Sequence, residues 1–592
     1  MKQFFKFMFA SFVGTLLTLL LLLFILVGTI SALISMADNE QVKLKPQTIL
    51  VAKFDKPILD RSPKNPFENF DFANFKPVQM LGLDDILKNI EKAEADPNIE
   101  GIYLDLSEIG AGMATIQEIR QKLIQFKASG KFIVAYSEAY SQGAYYLASV
   151  ADQIYLNPEG GVMFKGLMSQ IAFLKGTLEK LEVEAQIIRG PDNKFKSAVE
   201  PLMYDKMSEA NREQMETLLN SAWSEMLAGI GQSRGIEVLE LNRIADELLL
   251  ENAEKALEHR MVDKLVYKDE MLAILREKLG TAKDDKIQSV SLAKYTNAKL
   301  GDEKLSRNKL AVIYAIGEIS GGEGSESAIG SEGISRAIRK AREDDKVKAI
   351  VMRVNSPGGS ALASEVIRRE VELAKAEKPF IVSMGDVAAS GGYWISTNAD
   401  YIYAEPNTIT GSIGVFGVIP YVGKMFENKL GITFDKAMTN DNSDYIDVMQ
   451  PLSAFQRKKI QDGVVEIYND FTKLVANTRN LRQTYVDSIG QGRVWTGKDA
   501  LEIGLVDGLG GIEDAIQMAA EKAGLGDDYR LYGLPEQKDA FQQIVEEMSG
   551  QTRARTMLKQ ELGAYYSYLE YVQKMANMKG VQARLPFYFT IE

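Results

Sequence analysis

The sequence repeats itself at long range, and this repeat limits the possible folds more than any other feature. Residues 101–166 align with residues 349–414 at a constant offset of 248 without a gap, and seventeen of the sixty-six positions are identical. About four identities would be expected by chance at average composition. Each copy covers more than 200 residues. The pattern therefore predicts a duplicated domain and excludes a short-period solenoid.

Within each copy, short β-rich runs alternate with amphipathic helical stretches. In the second copy, the predicted strands lie at 310–315, 349–354 and 380–383, and the predicted helices near 334–342 and 362–376. Because parallel strands need crossover connections, the alternation predicts βαβ units and mainly parallel sheets in an α/β fold.

Two charged helical segments follow the two cores, near residues 208–232 and 454–480. We expect these helical extensions to support oligomer contacts more than catalysis.

The composition excludes several kinds of chemistry. The 592 residues include one histidine, His259, and no cysteine. Disulfides, thiolate metal sites, cysteine nucleophiles and histidine-rich metal centres are therefore excluded, and we expect no metal and no cofactor. The net charge of −12 argues against nucleic acid as a partner, because phosphate binding depends on an excess of Lys and Arg.

The N-terminus has the pattern of a membrane anchor. Residues 7–37 carry no charge and include a nearly pure Leu, Ile and Phe run at 16–27. A bilayer span needs about 20 apolar residues, whereas the apolar core of a cleaved signal peptide has roughly 7 to 15. We interpret residues 1–38 as a cytoplasmic N-terminus and a transmembrane signal anchor. Lys2 and Lys6 precede the apolar run, so the rest of the chain is expected on the outer side of the membrane.

Two segments of the second copy follow predicted strands, where open α/β folds place ligands. Segment 355–360 reads NSPGGS. Its paired glycines leave N–H groups that can bind an anionic oxygen, although a tight turn before a helix has the same pattern. In segment 388–394, Ser390 stands between small residues at the start of a predicted helix. This is the setting of an exposed nucleophile, and also that of a helix N-cap.

The comparison between the copies shows which polar residues the scaffold does not require. Gln142 lies opposite Ser390, and Phe164 lies opposite Ser412. Packing alone therefore does not demand a serine at position 390.

A serine nucleophile needs an adjacent base. His259 falls opposite Ile503 in a charged segment, so we interpret it as a surface histidine. The remaining strong base is a lysine, and burial would have to lower its pKa by roughly 3 units, equivalent to about 4 kcal/mol. Lys196, in segment 193–201 (NKFKSAVEP), is the most suggestive lysine, although a surface lysine fits the same pattern.

Segments 390–393, 410–415 and 196–201, together with the anchor and the two copies, closely resemble the signal peptide peptidase A (protease IV) family in its long duplicated form. The resemblance implies tandem Clp-protease/crotonase-like domains and a homotetramer in the bacterial inner membrane. It also implies a periplasmic Ser-Lys serine protease that cleaves residual signal peptides.

The resemblance assigns a role to each candidate residue. Ser390 is implied as the nucleophile, Lys196 as the general base and Ser412 as the residue that orients the lysine amine. The N–H group of Gly358 or Gly359, with that of Gly391, is implied as the oxyanion hole.

The repeat and the resemblance together predict a site shared between the copies. Opposite Lys196, the second copy has Ile446, so the base occurs only in the first copy and the nucleophile only in the second. The expected domains are the anchor at 1–38, the first repeat at 39–300, the second repeat at 301–535 and a C-terminal helical extension at 536–592. Two alternatives stay open: a non-catalytic membrane scaffold, and a crotonase-type acyl-CoA enzyme on the same fold.

Overall fold

The computed structural model describes residues 2–38, 42–63, 70–71, 76–77, 81–190, 193–283, 285–298, 306–537 and 581–585. The helices in these ranges are α1 (Lys2–Asp38), α2 (Leu83–Ala95), α3 (Met113–Lys127), α4 (Gln142–Ala148), α5 (Lys175–Leu181), α6 (Glu200–Met203), α7 (Glu209–Arg234), α8 (Val238–Asp246), α9 (Ala253–Glu258), α10 (Lys268–Leu279), α11 (Leu292–Tyr295), α12 (Ser331–Glu343), α13 (Ala361–Lys375), α14 (Gly391–Ser396), α15 (Gly423–Leu430), α16 (Ala454–Arg479), α17 (Gln483–Ile489), α18 (Gly497–Glu502) and α19 (Ile512–Lys522).

The strands in the same ranges are β1 (Thr48–Ala52), β2 (Phe70–Asp71), β3 (Lys76–Pro77), β4 (Ile99–Asp105), β5 (Phe132–Tyr140), β6 (Gln153–Val162), β7 (Glu184–Arg189), β8 (Lys264–Leu265), β9 (Ser289–Ser291), β10 (Lys309–Ile316), β11 (Glu318–Ser320), β12 (Gly324–Ser325), β13 (Ala328–Gly330), β14 (Val347–Ser356), β15 (Gly358–Ser360), β16 (Phe380–Ala389), β17 (Tyr401–Ala404), β18 (Ile409–Gly411), β19 (Phe416–Tyr421), β20 (Val494–Thr496), β21 (Gly508–Leu509), β22 (Arg530–Leu534) and β23 (Gln582–Arg584).

Each copy forms its own parallel sheet. The first sheet has the order β8-β6-β5-β4-β1-β9, and all of its pairings are parallel. The second sheet has the order β20-β18-β16-β14-β10-β22, with β17 beside β16, and only the β18–β20 pair is antiparallel. The strands and helices predicted for the second copy are all present as β10, α12, β14, α13 and β16. The prediction of mainly parallel α/β sheets is confirmed.

The duplication is visible element by element. Helices α2 and α12, and also α3 and α13, begin and end 248 positions apart. The constant offset thus extends back at least to Leu83, well before residue 101. The long helices α7 and α16 have 26 residues each and lie 245 positions apart, so the two charged segments are helical as predicted.

A third sheet combines both copies and positions the site. Its strand order is β12-β13-β11-β15-β23-β19-β7, so it includes β7 from the first copy. Six residues of β7 pair antiparallel with β19, from Arg189 opposite Phe416 to Glu184 opposite Tyr421. We call this the mixed sheet. It brings the chain that follows β7 against the second copy.

The two copies also share an apolar core. The largest buried cluster contains Ile86 and Leu123 of the first copy together with Val312, Val351 and Ile381 of the second sheet. Because the apolar side chains of both copies pack in one continuous cluster, the copies cannot separate without exposing it to water.

Buried charged side chains bridge the copies beside this core. Arg353 is fully buried and donates to Asp60 at 2.6 Å and to Glu118 at 2.5 Å. Asp386 accepts from the backbone N–H and the hydroxyl of Thr115. Burial raises the pKa of Glu118 and of Asp386. Burial, and next the charge of Glu118, raise the pKa of nearby Glu405 well above its ordinary value.

The two ends of the chain are described only in part. No helix among the described residues has both the length and the apolarity that a membrane span requires. The side chains of residue 20 and of residues 23–38 in α1, which include part of the 16–27 run, lie outside the described set. Residues 538–580 and 586–592 of the expected C-terminal helical extension also lie outside it, and the described residues 582–584 form strand β23.

Candidate active site

The two side chains expected to form the dyad are in direct contact. Lys196 Nζ lies 2.8 Å from Ser390 Oγ, although the two residues are 194 positions apart in the chain. The same amine lies 2.9 Å from Ser412 Oγ and 3.0 Å from the Ser412 carbonyl oxygen. Lys196, Ser390 and Ser412 are all fully buried. The structure thus brings together the side chains that the resemblance implied as the nucleophile, the general base and the residue that orients the lysine amine.

The environment of Lys196 favours its neutral form. Burial lowers the pKa of Lys196 well below its ordinary value of 10.5, and burial is the only cause of the shift. A solvated surface lysine, the alternative interpretation from the sequence, is therefore wrong. Desolvation disfavours the ammonium form, so the neutral amine, which can accept a proton, is favoured over the charged form.

Lys196 is positioned by the chain that follows β7. The Phe195 N–H donates to the Gln491 carbonyl at 3.1 Å, and the Asn193 side-chain amide donates to the Val415 carbonyl at 2.9 Å. Gly492, with φ +82°, lies so close that a Cβ at this position would be 2.5 Å from Lys196 Cβ. Only a glycine allows the lysine this approach.

Helix α7 supports the lysine loop from the other side. Gln214 on this helix donates to the Phe195 carbonyl at 3.0 Å and to the Ser197 hydroxyl at 2.8 Å. The Glu200 carboxylate accepts from the hydroxyl of Ser208, which caps α7, and from the Asn211 amide. Both Gln214 and Glu200 are 1% exposed. Helix α7 therefore holds the loop that carries Lys196, and its expected part in oligomer contacts stays a prediction.

Helix α16 also belongs to the site region. Arg457 donates to the Ile187 carbonyl, and Gln461 donates to the Arg189 carbonyl. These two carbonyls belong to β7, the strand that leads to Lys196. Helix α16 therefore holds the outer edge of the mixed sheet.

Ser390 stands at the sharp turn between β16 and α14. Its φ of +56° and ψ of −111° are unusual for a residue with a Cβ, and its side chain makes no capping hydrogen bond. Ser390 therefore occupies the N-cap position of α14, as the alternative interpretation expected, but its side chain does not cap the helix. Strain of this kind is stored where the surrounding structure holds the residue in place, often at active sites. The expected exposure of the serine is also wrong, because Ser390 is fully buried here.

Ser412 is held by the loop that contains Gly492. Its φ is +49°, its N–H donates to the Arg493 carbonyl at 2.7 Å, and its hydroxyl donates to the Gly492 carbonyl at 3.2 Å. Because the hydroxyl proton is directed at Gly492, the Ser412 oxygen keeps a lone pair for the lysine amine.

The expected oxyanion glycines lie next to Ser390. Gly358 has φ +92°, and its N–H donates to the Ser356 hydroxyl at 3.1 Å. A Cβ on Gly358 would lie 2.6 Å from the Gly391 nitrogen, so the glycine loop and the residue after Ser390 are in close contact. Gly359 instead faces Ala583 of β23 in an antiparallel pair. The interpretation of segment 355–360 as a simple tight turn before a helix is wrong, since residues 358–360 form strand β15.

The corresponding position of the first copy is filled by an amide. Gln142 is 5% exposed, and its oxygen accepts from the N–H groups of Lys165 and Gly166. Its nitrogen donates to the Gly166 carbonyl at 3.1 Å. Gln142 thus binds the loop at residues 164–166 of the first copy, which corresponds to residues 412–414 of the second copy.

Two other residues from the sequence comparison lie elsewhere. Ile446 lies in the segment before α16 and is 46% exposed. His259 follows α9, with its ring nitrogen 3.6 Å from Glu240 and its side chain only 17% exposed. The surface interpretation of His259 is therefore correct only in part, because most of the ring is covered.

Several supporting residues were not identified from the sequence. Two of them lie in sequence patterns that could have drawn attention to them. Asn193 begins segment 193–201, and Gly492 ends the glycine-rich run Gly490-Gln491-Gly492. Gln214 lies in no such pattern, because a polar residue inside a charged helix resembles any solvated position.

A family model described as peptidase family S49 matches the chain twice, over residues 125–282 and 372–526, which together exceed half of the chain. The chain belongs to this family. The two matches, one in each copy, also confirm the predicted duplication.

Individual members of the family are similar over most of the chain. Protease 4 of Salmonella typhi is 39% identical over 81% of this chain and 78% of its own length. Protease 4 of Haemophilus influenzae is 38% identical over 74% of this chain and 72% of its own length. The chloroplastic serine protease SPPA of Arabidopsis thaliana is 36% identical over 75% and 66%, respectively. Family membership and these relatives support a serine-type protease.

Among solved structures, a ClpP1 mutant from Listeria monocytogenes aligns with 35% of this chain and 94% of its own at 13% identity and a TM-score of 0.24. A score of this size carries no argument about fold, so the Clp-like description stays a prediction.

Proposed function

We propose that the protein is a serine endopeptidase in which Ser390 is the nucleophile and Lys196 is the general base. The observation that best supports this proposal is the 2.8 Å contact between Lys196 Nζ and Ser390 Oγ inside a fully buried site. A serine hydroxyl is a weak nucleophile, and a neutral amine at this distance can take its proton.

The proposed reaction proceeds in two stages. The neutral Lys196 amine takes the Ser390 proton while Oγ attacks a peptide carbonyl, and the N–H groups of Gly359 and Gly391 stabilise the oxyanion. We choose Gly359 over Gly358 because the Gly358 N–H already has the Ser356 hydroxyl as its acceptor. The ammonium then protonates the leaving amine, and water hydrolyses the acyl-enzyme.

The surroundings of the amine suit this cycle. Its three oxygen contacts, to Ser390 Oγ, Ser412 Oγ and the Ser412 carbonyl, equal in number the three N–H donors of an ammonium. The charge formed during the attack is therefore solvated by three oxygen atoms, and no carboxylate within the described ranges pairs with the amine to hold the lysine permanently protonated. We assign Ser412 the role of orienting the amine.

We further propose that the substrates are residual signal peptides and other apolar segments. The enzyme would be anchored by residues 1–38 in the bacterial inner membrane, with the catalytic part in the periplasm, and would assemble as a homotetramer. Support comes from the uncharged run at residues 7–37 and from the family resemblance.

Single substitutions in the full chain test the dyad. Ser390→Ala and Lys196→Ala should each reduce hydrolysis of an apolar peptide ester by at least about 1000-fold, because each removes a reacting group. Lys194→Ala is the matched control, since this exposed lysine is two positions away. Unchanged hydrolysis in either dyad variant would refute the mechanism. Absence of hydrolysis by the parent protein would favour the scaffold, and turnover of an acyl-CoA would favour a crotonase-type enzyme.

Location and assembly need separate measurements. Added protease should digest the catalytic part in spheroplasts but not in inverted membrane vesicles if it faces the periplasm. Mass photometry of the detergent-solubilised full chain should give four times the monomer mass. The opposite protection pattern, or a monomer, would refute the corresponding proposal.

A further inference from the structure

Strand β23, formed by residues near the C-terminus, fills a gap in the mixed sheet. It pairs antiparallel with β15 through Gly358–Arg584, Gly359–Ala583 and Ser360–Gln582, and with β19 through Phe416–Gln582. Neighbouring strands lie about 4.8 Å apart. Without β23, strands β15 and β19 would therefore face each other across a slot about 10 Å wide, which is the width of one extended peptide.

The slot runs directly past the dyad. One wall, β15, contains Gly359 of the proposed oxyanion hole, and the other wall, β19, begins four residues after Ser412. Two backbone hydrogen bonds lie two residues to either side of the Gly359–Ala583 pair. The Leu585 N–H donates to the Pro357 carbonyl, and the Ala361 N–H donates to the Val581 carbonyl. In an antiparallel ladder, this spacing makes Gly359 and Ala583 a hydrogen-bonded pair.

The carbonyl group of Ala583 points at the proposed oxyanion hole. A Cβ built on Gly358 would lie 2.2 Å from the Ala583 oxygen, and one built on Gly391 would lie 3.0 Å from it. The same oxygen therefore lies beside Gly358 and Gly391, and the residue that carries it is paired with Gly359. This is the position that the carbonyl of a cleaved residue must occupy.

The side chains of the segment enter two apolar clusters. Ala583 is fully buried in a cluster with Ile188, Ala361, Val415, Ile419, Ile460, Val464 and Tyr468. Leu585 is 6% exposed in a second cluster, which contains Met215, Leu218, Ala389, Ile409 and Val494. Because Ala583 has no exposed surface, a larger side chain at its position would need the neighbouring residues to move.

We propose that residues 581–585 are an internal ligand of the peptide groove, with Ala583 in the place of the residue whose carbonyl is attacked. This inference rests on the proposed function. A substrate must displace the segment and lie in the same slot as an extended strand. Its pattern should match that of the segment, with a small apolar residue before the cleaved bond and a larger apolar residue at the second position after it.

Substitution of Ala583 in the full chain tests the competition. Ala583→Trp and Ala583→Asp should expel the strand, because neither side chain suits a filled apolar site. If the groove is free in about one molecule of ten, KM for a short fluorogenic peptide should fall about tenfold while kcat stays the same. Ala583→Ser is the matched control, since its side chain fits and KM should not change. An unchanged KM in both expelling variants, with unaltered melting temperatures, would overturn the proposal.

Peptide binding tests the groove without any turnover. The probe is a labelled peptide with the sequence of residues 579–587, KGVQARLPF, measured by fluorescence anisotropy. It should bind the Ser390→Ala, Ala583→Trp double variant about tenfold more tightly than it binds Ser390→Ala, and a probe with Trp at the Ala583 position should bind neither. Equal binding by the two proteins would overturn the inference even if the parent hydrolyses peptides. Tighter binding by the double variant without hydrolysis by the parent would support the groove while refuting the proposed function.

Discussion

Replacement of Gly492 by alanine should disable the lysine without adding or removing any ionisable group. The new Cβ would lie 2.5 Å from Lys196 Cβ and 2.7 Å from its Cα and N. Carbon atoms pack at about 3.5 Å or more, so Lys196 or the Gly492 loop must move by about 1 Å. A misplacement of this size at a reacting group can cost about 100-fold in rate. We therefore expect kcat to fall about 100-fold, equivalent to about 2.7 kcal/mol of transition-state stabilisation.

The control must reproduce the backbone strain without the clash. Gly431 has φ +66°, and a Cβ there would meet no atom within 4 Å, so Gly431→Ala carries only the cost of the left-handed conformation, about 1–2 kcal/mol of stability. Both variants should melt at lower temperature, but only Gly492→Ala should lose kcat on a peptide ester. Full kcat in Gly492→Ala, at a melting temperature like that of Gly431→Ala, would refute the assigned position of the lysine.

Three further predictions concern the site and the interface between the copies. Ser412→Ala should lower kcat about 5–10-fold with KM unchanged, because it removes one hydrogen bond to the amine, worth about 1 kcal/mol. The control Ser327→Ala, at an exposed position, should leave kcat unchanged. Equal kinetics in the two variants would contradict the orienting role. Because burial lowers the pKa of Lys196, kcat/KM for a non-ionising peptide should rise with pH and level off below pH 10.5, and a midpoint at or above 10.5 would contradict a buried base. The folded-state pKa of Glu405 is raised, so its favourable contribution to stability is complete below about pH 4.5 and is lost as the pH rises through the folded pKa. Glu405→Gln should therefore melt like the parent at pH 4 and at a higher temperature than the parent at pH 8, and a constant difference between the two proteins would contradict this.

Much of the fold could be predicted because local pattern and duplication constrain it. Apolar runs such as β14 are buried on both faces, which is typical of a central parallel strand, and the 248-residue offset applies the same assignment to both copies. The mixed sheet was not predicted. Its pairings between β15, β23, β19 and β7 join strands that lie far apart in the sequence, and no local periodicity encodes such partners.

For the two charged helices, too, the sequence predicted the local structure but not the contacts that the helices make. The sequence indicates correctly that α7 and α16 are helical, since helix formation depends on local spacing and on caps such as Ser208 and Ser453. It does not show that Gln214 points at the lysine loop or that Arg457 holds β7. Those contacts depend on how the helices dock on the rest of the molecule.

The sequence by itself determined the chemistry available to this protein. One histidine and no cysteine exclude cysteine nucleophiles and histidine-rich metal sites, and the comparison of the copies shows that the serine at position 390 and the lysine at position 196 each occur in one copy only. Only the tertiary structure decided that Lys196 reaches Ser390, because the pairing of β7 with β19 carries the first copy across to the second. Burial then lowers the lysine pKa, and residues 581–585 close the groove beside it. The lysine pKa and the closing of the groove both depend on which residues lie close together in space, and the order of residues along the chain does not reveal those neighbours.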